Sequence, residues 1–210
     1  EGSLQRLQLP KVTLLQLHNG VTARRNDQPS SIGMADVLDS GGLLDALKSV
    51  QVEGQADFLG LTGTGAAEQM RAVVNTREFD TIQVPYNLFN PSAGCQVAND
   101  FVEQDYGSIL DDCRSAGMGC FAIRVFAGGA LLRQPPSDHT LKTPYFPLDL
   151  YRRDLDRAAS LDDGVSGASL LRQSIEFALS HQAIHSAIIG FGGPGHVVDA
   201  VRAVNRIYTH

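Results

Sequence analysis

The most informative strand candidate in the sequence is Phe79-Asp80-Thr81-Ile82-Gln83-Val84-Pro85-Tyr86-Asn87. Its middle, Thr81 to Val84, has apolar residues at Ile82 and Val84 and is a candidate for a strand buried in a parallel sheet. Gln83 interrupts that run, and a buried side-chain amide needs a hydrogen-bond partner. A ligand carboxamide would supply one, so Gln83 is a candidate binding residue.

Strands and helices alternate on both sides of this run. The other strand candidates are Val12 to Leu17, Ala56 to Leu61, Cys120 to Val125 and Ala187 to Ile189. Helical patterns cover Leu43 to Val52, Ala66 to Val74, Val97 to Ala116, Leu170 to Leu179 and Val197 to Ile207. Apolar strands separated by helices must connect by crossovers. The sequence therefore predicts an α/β fold with five parallel strands covered by helices.

Two polar stretches interrupt the alternation and are predicted to be long loops. Ala23 to Ser40 comes after the first strand and His18, and Arg133 to Asp163 comes after the strand that ends at Val125. In a barrel, active sites are built where strands reach their C-terminal ends. Both loops are therefore candidate lids, and the alternative for each is a surface excursion without a role at the site.

Composition and charge limit the class of protein. The 210 residues, 43% of them hydrophobic and 19% charged, predict a single folded domain over residues 1–210. A net charge of −6 without a basic stripe argues against a nucleic-acid partner. No apolar run is long enough to cross a membrane and the start does not resemble a signal peptide. We therefore expect a cytoplasmic protein that does not contact membranes.

The cysteine and histidine spacings do not indicate a disulfide framework or a metal site. Cys95, Cys113 and Cys120 are an odd number without C-x-x-C spacing, so packed thiols are expected. His181 and His185 have the spacing of a zinc-binding helix but lack its adjacent glutamate. We predict no metal.

Three features carry candidate chemistry. His18 ends the run Leu14-Leu15-Gln16-Leu17-His18, where a neutral imidazole can donate a hydrogen bond to a substrate carbonyl. The turns Gly60 to Gly65 and Gly190 to His196 each follow a strand and open a helix, an arrangement that presents backbone amides to a phosphate. The alternatives are a histidine that only packs and glycines that only shape the turns.

Together these segments resemble the aldo-keto reductases. Glu1 to Leu7 followed by Val12 to His18 is similar to the helix and fourth strand that end in the family's active-site histidine, and Phe79 to Asn87 is similar to the sixth strand. Phe121 to Leu131 resembles the seventh strand and the loop after it, and Phe177 to Gly190 resembles the approach to the eighth. The resemblance implies a TIM (β/α)8 barrel of this type, represented by about five βα units.

The resemblance implies NADP(H)-dependent reduction of aldehydes or ketones, or oxidation of aldoses or alcohols. His18 would be catalytic, whereas the family's aspartate, tyrosine and lysine belong to earlier strands for which we find no counterpart. Because the sequence starts at Glu1 rather than a methionine and Leu4 and Leu7 already read as a helix face, we expect a fragment. We expect this chain alone to be inactive, with the missing strands supplied by further residues, a partner chain or self-association.

The cofactor contacts implied by the resemblance depart from the family pattern. A Ser-Asn pair is replaced by Thr62 and Gly63, and a stacking tyrosine by Ile123, while Arg124 is placed to meet a pyrophosphate. The implied cofactor-binding residues are Thr62, Gln83, Arg124, Gly190, Gly192, Gly193, His196 and Asp199. NADP(H) is expected and NAD(H) is the alternative. A non-catalytic relative that serves binding or assembly is the competing hypothesis, motivated by Gly63, Ile123 and Ala200.

Overall fold

The computed structural model describes residues 2–136, 141–142, 148–161 and 167–208. Its strands are β1 (Val12–Leu17), β2 (Val21–Thr22), β3 (Ile32–Gly33), β4 (Ala56–Thr62), β5 (Thr81–Pro85), β6 (Gly119–Ile123) and β7 (Ser186–Ala187). Its helices are α1 (Gly2–Leu7), α2 (Met34–Leu38), α3 (Leu43–Val52), α4 (Ala67–Asn75), α5 (Ile109–Ala116), α6 (Leu148–Ala159), α7 (Gly167–Ser180) and α8 (Pro194–Tyr208), with a 3-10 helix at Ala127–Leu132. Strands and helices alternate along most of the chain.

Five of the strands form one parallel sheet in the order β1-β4-β5-β6-β7, and β2 pairs with β3 separately. In this sheet β1 pairs with β4, with Leu17 opposite Leu61, and β4 pairs with β5, with Thr62 opposite Gln83. The predicted α/β fold with a five-stranded parallel sheet is confirmed. Because all strands run the same way, their C-terminal ends meet at one edge of the sheet.

The chain divides into two compact units, and β5 and β6 each contribute residues to both. The first unit comprises Glu1–Val84 and Ser92–Phe121, and the second comprises Pro85–Pro91 and Ala122–His210. The core of the first unit includes Leu59, Leu61, Met70, Val73 and Ile82, none of which is more than 2% exposed. Burying a side chain of this kind stabilises a fold by about 1.5–3 kcal/mol.

The second unit has its own apolar contacts. Phe89, Leu131 and Ala158 form a buried cluster. Elsewhere in the unit, the ring of Tyr86 stacks on Phe177 with centroids 4.8 Å apart. These contacts tie the loop after β5, the 3-10 helix, α6 and α7 into one packed body.

The helix predicted from Val97 to Ala116 is wrong over its first half, because only Ile109–Ala116 is helical. Gly107 and Ser108 have φ angles of 62° and 55°, in the left-handed region that a continuous α-helix excludes. The preceding segment is instead held against Ser92, whose hydroxyl accepts the Tyr106 N–H at 3.0 Å. This bond, between residues 14 positions apart, takes the place of a helical one in the segment.

The prediction that Ala23 to Ser40 is a loop is wrong in its second half. Ile32–Gly33 pairs with Val21–Thr22 and leads directly into the short helix α2. The Asp36 carboxylate accepts the Gly33 N–H at 2.8 Å, which is the contact of an acidic residue in a first helical turn. Two-residue strands and a five-residue helix are too short to show hydrophobic periodicity.

The prediction that Arg133 to Asp163 is a loop is also wrong, because it contains the twelve-residue helix α6. Tyr151 and Ala158 are buried on this helix and place it in the second unit. Residues 137–140, residues 143–147, which include two of the four prolines, and residues 162–163 lie outside the described residues. The prolines led to the prediction of a loop, but α6 begins directly after the last of them.

Two of the three cysteines are packed thiols, as predicted, and the third is not. Cys113 and Cys120 are fully buried, whereas Cys95 is exposed. A hydrogen bond with Cys120 and burial raise the pKa of Cys113. Among the described residues, no helix combines the length and apolar character that crossing a bilayer requires.

Candidate active site

The C-terminal ends of β1, β4 and β5 carry the first group of candidate residues, all within the first unit. Thr62 and Gln83 are register partners on neighbouring strands, so their side chains project from the same face of the sheet. Leu17 lies opposite Leu61, and the next residues, His18 and Thr62, therefore stand at the same level. The structure brings these three predicted residues to one edge of the sheet.

His18 directly follows β1, but the strand differs from the expected buried one. Only Leu17 of β1 is buried, and among the described strands β1 pairs with β4 alone. His18 itself is exposed and makes no side-chain hydrogen bond within the described residues. Its imidazole is therefore available to a ligand.

Thr62 is held by a residue that the sequence interpretation did not select. Gln16, on β1, donates from Nε2 to Thr62 Oγ1 at 2.8 Å. Thr62 is only 6% exposed, so its hydroxyl depends on such a partner. Gln16 is a polar residue in an apolar strand, the same signal that selected Gln83, and it could have been found by that criterion.

Gln83 presents a side-chain amide that is not used within the protein. It is half-buried, and its carboxamide makes no hydrogen bond among the described residues. Its main-chain oxygen accepts the Gly63 N–H at 2.6 Å. The side chain is therefore the part of Gln83 that remains free for a ligand.

Glycine at position 63 has a structural cause. A Cβ at Gly63 would lie 2.9 Å from the main-chain oxygen of Gln83 and 3.1 Å from the side chains of Ile82 and Val84. Contacts this short with backbone atoms are avoided in proteins. The close approach of β4 and β5 therefore leaves little room for a side chain at position 63.

The turn predicted from Gly60 to Gly65 is shorter than expected. Gly60, Leu61 and Thr62 belong to β4, which leaves Gly63 to Ala66 as the connection to α4. Gly65 has a φ of 122°, and a Cβ there would overlap the main chain of Val21. In this turn, glycine is required by packing between backbone segments.

Arg124 lies in the second unit, directly after β6. It is exposed and has a φ of 55°, a left-handed conformation that is unfavourable for a non-glycine residue. Its carbonyl accepts hydrogen bonds from Asn87 Nδ2 at 3.0 Å and from the Ala127 N–H at 2.8 Å. These bonds fix the backbone that carries the guanidinium.

Asn87 is a buried residue that the sequence interpretation did not assign a role. Besides donating to Arg124, its Oδ1 accepts the N–H groups of Phe89 and Asn90 at 2.9 and 3.0 Å. The side chain thereby joins the turn after β5 to the end of β6. An asparagine followed closely by Asn90-Pro91 is a turn signal, which is the clue the sequence contained.

The remaining candidates lie between β7 and α8, also in the second unit. The imidazole Nδ1 of His196 accepts the Gly192 N–H at 3.2 Å, so this turn is closed by its own side chain. Added Cβ atoms at Gly190 and Gly193 would meet nothing within 4 Å. Asp199 is exposed and lies 3.6 Å from Arg202. Glycine is not enforced by packing at positions 190 and 193.

A surface cavity of about 430 Å³ lies elsewhere in the second unit. It is lined by Leu88, Phe89, Arg157, Ser160, Leu161, Leu170 and Gln173. The Arg157 guanidinium lies 4.2 Å from the centre of the Phe89 ring and pairs with Asp154. None of the predicted site residues lines this cavity, and its arginine is already neutralised.

Comparison with protein families gives a match over almost the whole chain. The model of the aldo/keto reductase family matches residues 1–209. No curated protein matches the sequence. The family match covers every segment on which the resemblance was based.

Solved structures of similar fold include aldo-keto reductases. The aldo-keto reductase AKR11C1 from Bacillus halodurans, in its apo form, has a TM-score of 0.62 at 19% identity, over 97% of this chain and 59% of its own. The glycerol dehydrogenase AKR11B4 from Gluconobacter oxydans has a TM-score of 0.58 at 18% identity, over 98% of this chain and 56% of its own. At such identities the likeness establishes the fold, and the chain spans less than two thirds of either protein.

Proposed function

The chain belongs to the aldo/keto reductase family, and we propose that the natural protein is an NADP(H)-dependent oxidoreductase acting on small carbonyl compounds or the corresponding alcohols and aldoses. NAD(H) is the alternative cofactor. A nicotinamide cofactor would supply the hydride for such a reaction. The chain's own residues would bind and orient the cofactor and the substrate.

The observation that carries this proposal is the pairing of Thr62 with the unused carboxamide of Gln83. The two side chains project from one face of the sheet at adjacent strand ends, and together they offer hydroxyl and amide groups. A nicotinamide carboxamide contains one carbonyl acceptor and one NH2 donor, which such a pair can satisfy. The residues present therefore fit the carboxamide end of the cofactor.

The second unit contributes the proposed contacts to the phosphates. Arg124 is exposed on a fixed backbone and offers a cation to a pyrophosphate. Gly190, Gly192 and Gly193 precede α8, so their main-chain amides are at a helix N-terminus where anions are favoured, and the Gly192 N–H would have to leave His196 Nδ1 to bind one. His196 and Asp199 are the proposed adenosine-side residues, and both already have intramolecular contacts. Because both side chains already have these contacts, they do not favour NADP(H) over NAD(H).

His18 is the proposed catalytic residue of the chain. An imidazole N–H at the end of β1 can donate to the oxygen of a substrate carbonyl and stabilise the charge that develops there. The exposed position and the absence of an intramolecular partner within the described residues support this role. The family's proton-donating tyrosine belongs to a strand for which we find no counterpart in this sequence. We therefore propose that the chain alone does not turn over substrate.

The test is a titration of NADPH against the longest natural chain that contains this sequence, followed by fluorescence. Saturable binding together with aldehyde-dependent oxidation of NADPH is the expected result. Binding without any turnover over a panel of aldehydes, ketones and sugars would favour the second candidate function, a non-catalytic binding or assembly protein. That candidate is motivated by Ile123 and Gly63, which occupy positions of usual cofactor contacts.

Self-association is proposed for the 210-residue chain on its own. β1 and β7 are the end strands of the five-stranded sheet, and strand edges pair readily with other chains. Multi-angle light scattering should give a mass above that of one chain. A stable monomer over a range of concentrations would refute this proposal.

A further inference from the structure

Gln16 is a half-buried polar residue of β1 that has no assigned role in the proposed function. Its Nε2 lies 2.8 Å from Thr62 Oγ1. The same face of the sheet carries Gly60, where an added Cβ would lie 3.5 Å from Gln16 Cγ. Gln16 therefore lies opposite Gly60, two residues before Thr62 on the same face of β4.

The polarity of this contact determines the direction of the Thr62 hydroxyl. A side-chain amide nitrogen donates and does not accept, so Thr62 Oγ1 is the acceptor. The hydroxyl proton consequently points away from Gln16, and no other hydrogen bond of Thr62 Oγ1 occurs among the described residues. The proton of the Thr62 hydroxyl therefore has no acceptor among the described residues.

The neighbour in the adjacent strand is Gln83, whose carboxamide is free on the same face. The Gly63 N–H, at the end of β4, already donates to the Gln83 main-chain oxygen at 2.6 Å. A ligand at this edge would therefore meet a hydroxyl donor from Thr62 and an amide from Gln83. This combination matches a carboxamide, which has one acceptor and one donor group.

We propose that Gln16 is a positioning residue: by donating to Thr62 Oγ1 it directs the Thr62 O–H towards the carbonyl oxygen of a nicotinamide carboxamide. The carboxamide NH2 then donates to Gln83 Oε1. This inference rests on the proposed function, because it assumes that a nicotinamide cofactor binds here. It assigns to Gln16 the task of setting which atom of the carboxamide each residue recognises.

The test compares two ligands that differ only in this group. NADPH has a carboxamide, and its reduced 3-acetylpyridine analogue keeps the carbonyl but lacks the NH2 donor. Dissociation constants are measured for the longest natural chain that contains this sequence. If Thr62 donates to the carbonyl, both ligands should lose affinity equally when Gln16 is changed to a residue without a donor.

Two variants of Gln16 test its donor: one removes the hydrogen bond to Thr62 and the other reverses its direction. Gln16→Met removes the donor and should weaken both ligands by about fivefold, the value of one ordinary hydrogen bond. Gln16→Glu replaces it with a carboxylate that accepts the Thr62 proton, which turns the Thr62 lone pairs towards the ligand. The carboxamide NH2 can still donate to them and the acetyl group cannot, so Gln16→Glu should weaken binding of the analogue about tenfold more than binding of NADPH, each compared with the parent chain.

Thr62→Val provides the double-mutant cycle. If Gln16 acts through Thr62, adding Gln16→Met to Thr62→Val should cause no further loss of affinity. The matched control is Gln51→Met, because Gln51 also donates to β4, to the Asp57 carbonyl at 2.8 Å, but at the opposite end of the strand. The control should bind both ligands like the parent chain.

The outcomes separate this inference from the proposed function. If the parent chain binds neither ligand and does not bind NADH either, the proposed function and this inference are both wrong. If the parent chain binds both ligands, three results would overturn only the role of Gln16. These are no effect of Gln16→Met, additive effects of Gln16→Met and Thr62→Val, or an equal loss of affinity for both ligands in Gln16→Glu. Circular dichroism of each variant checks that it is folded, and Thr62→Val tests the hydroxyl independently if Gln16→Glu does not fold.

Discussion

The strand ends of the first unit and the turns of the second unit hold their candidate residues in different ways. Thr62 and Gln83 are placed by sheet register, and Gly63 and Gly65 are needed because main-chain segments approach closely. In the second unit, Gly190 and Gly193 have open space around them. The comparison indicates that the first region is preformed by the sheet, whereas the second depends on local side-chain contacts.

The largest effect is expected from Gly65→Ala. The residue combines a φ of 122° with a position where a Cβ would overlap the main chain of Val21, so we expect a loss of about 3 kcal/mol or more in the free energy of unfolding. Gly193→Ala, the matched change in the second unit, should stay within about 0.5 kcal/mol of the parent chain. Urea denaturation followed by circular dichroism measures both. Equal effects of the two substitutions would break the comparison.

The second largest effect is expected at Asn87, whose side chain holds a turn of the second unit by hydrogen bonds to the main chain. Asn87→Ala removes one donor and two accepted hydrogen bonds from a buried turn, and we expect it to cost about 2–3 kcal/mol. Asn99→Ala, at an exposed position without such bonds among the described residues, is the control and should change little. If Asn87→Ala is as mild as the control, the turn is not held by this side chain.

Much of the sheet could be predicted from the sequence because long apolar runs in crossover-connected strands are a strong signal. Val12–Leu17 and Leu43–Val52 were predicted with the bounds that the structure shows. The failures involve short or locally stabilised segments: α2 has five residues, and the segment before α5 is held by Ser92. Such contacts join residues in ways that hydrophobic periodicity does not record.

The candidate site was predictable to the extent that it lies on strands. Gln83 could be selected because a polar residue stood in an apolar run, and its register with Thr62 followed only from the structure. Gln16 carried the same signal, but its significance depends on a contact with Thr62 across 46 positions of sequence. In the second unit, the bond between His196 and Gly192 depends on the folded turn, and no composition or spacing rule indicates it.

The third prediction sharpens the comparison at the level of ligand binding. Arg124→Gln keeps a long polar side chain but removes the charge, and we expect NADPH to bind about fivefold more weakly. The loss should shrink as ionic strength rises, because screening weakens the interaction of an exposed arginine with a phosphate. Isothermal titration at two salt concentrations measures it. Arg172→Gln, on α7 and paired with Glu176, is the control. A loss that does not depend on salt would argue against a phosphate contact.

The smallest effect concerns Asp36, which caps the start of α2 in the first unit. The hydrogen bond from Arg25 and the Gly33 N–H lower the pKa of this carboxyl below its ordinary value of 3.8. The charged form therefore favours the folded chain above about pH 4, and that contribution disappears as the pH falls through the lowered pKa. Asp36→Asn should accordingly be less stable than the parent at pH 6 and equally stable near pH 2.

Asp199→Asn, the counterpart in the second unit, breaks only an exposed pair and should change stability little at either pH, because such pairs contribute little. Midpoints of urea unfolding at the two pH values decide between them, and a difference for Asp36→Asn that persists unchanged at pH 2 would show that the cap acts through shape rather than charge.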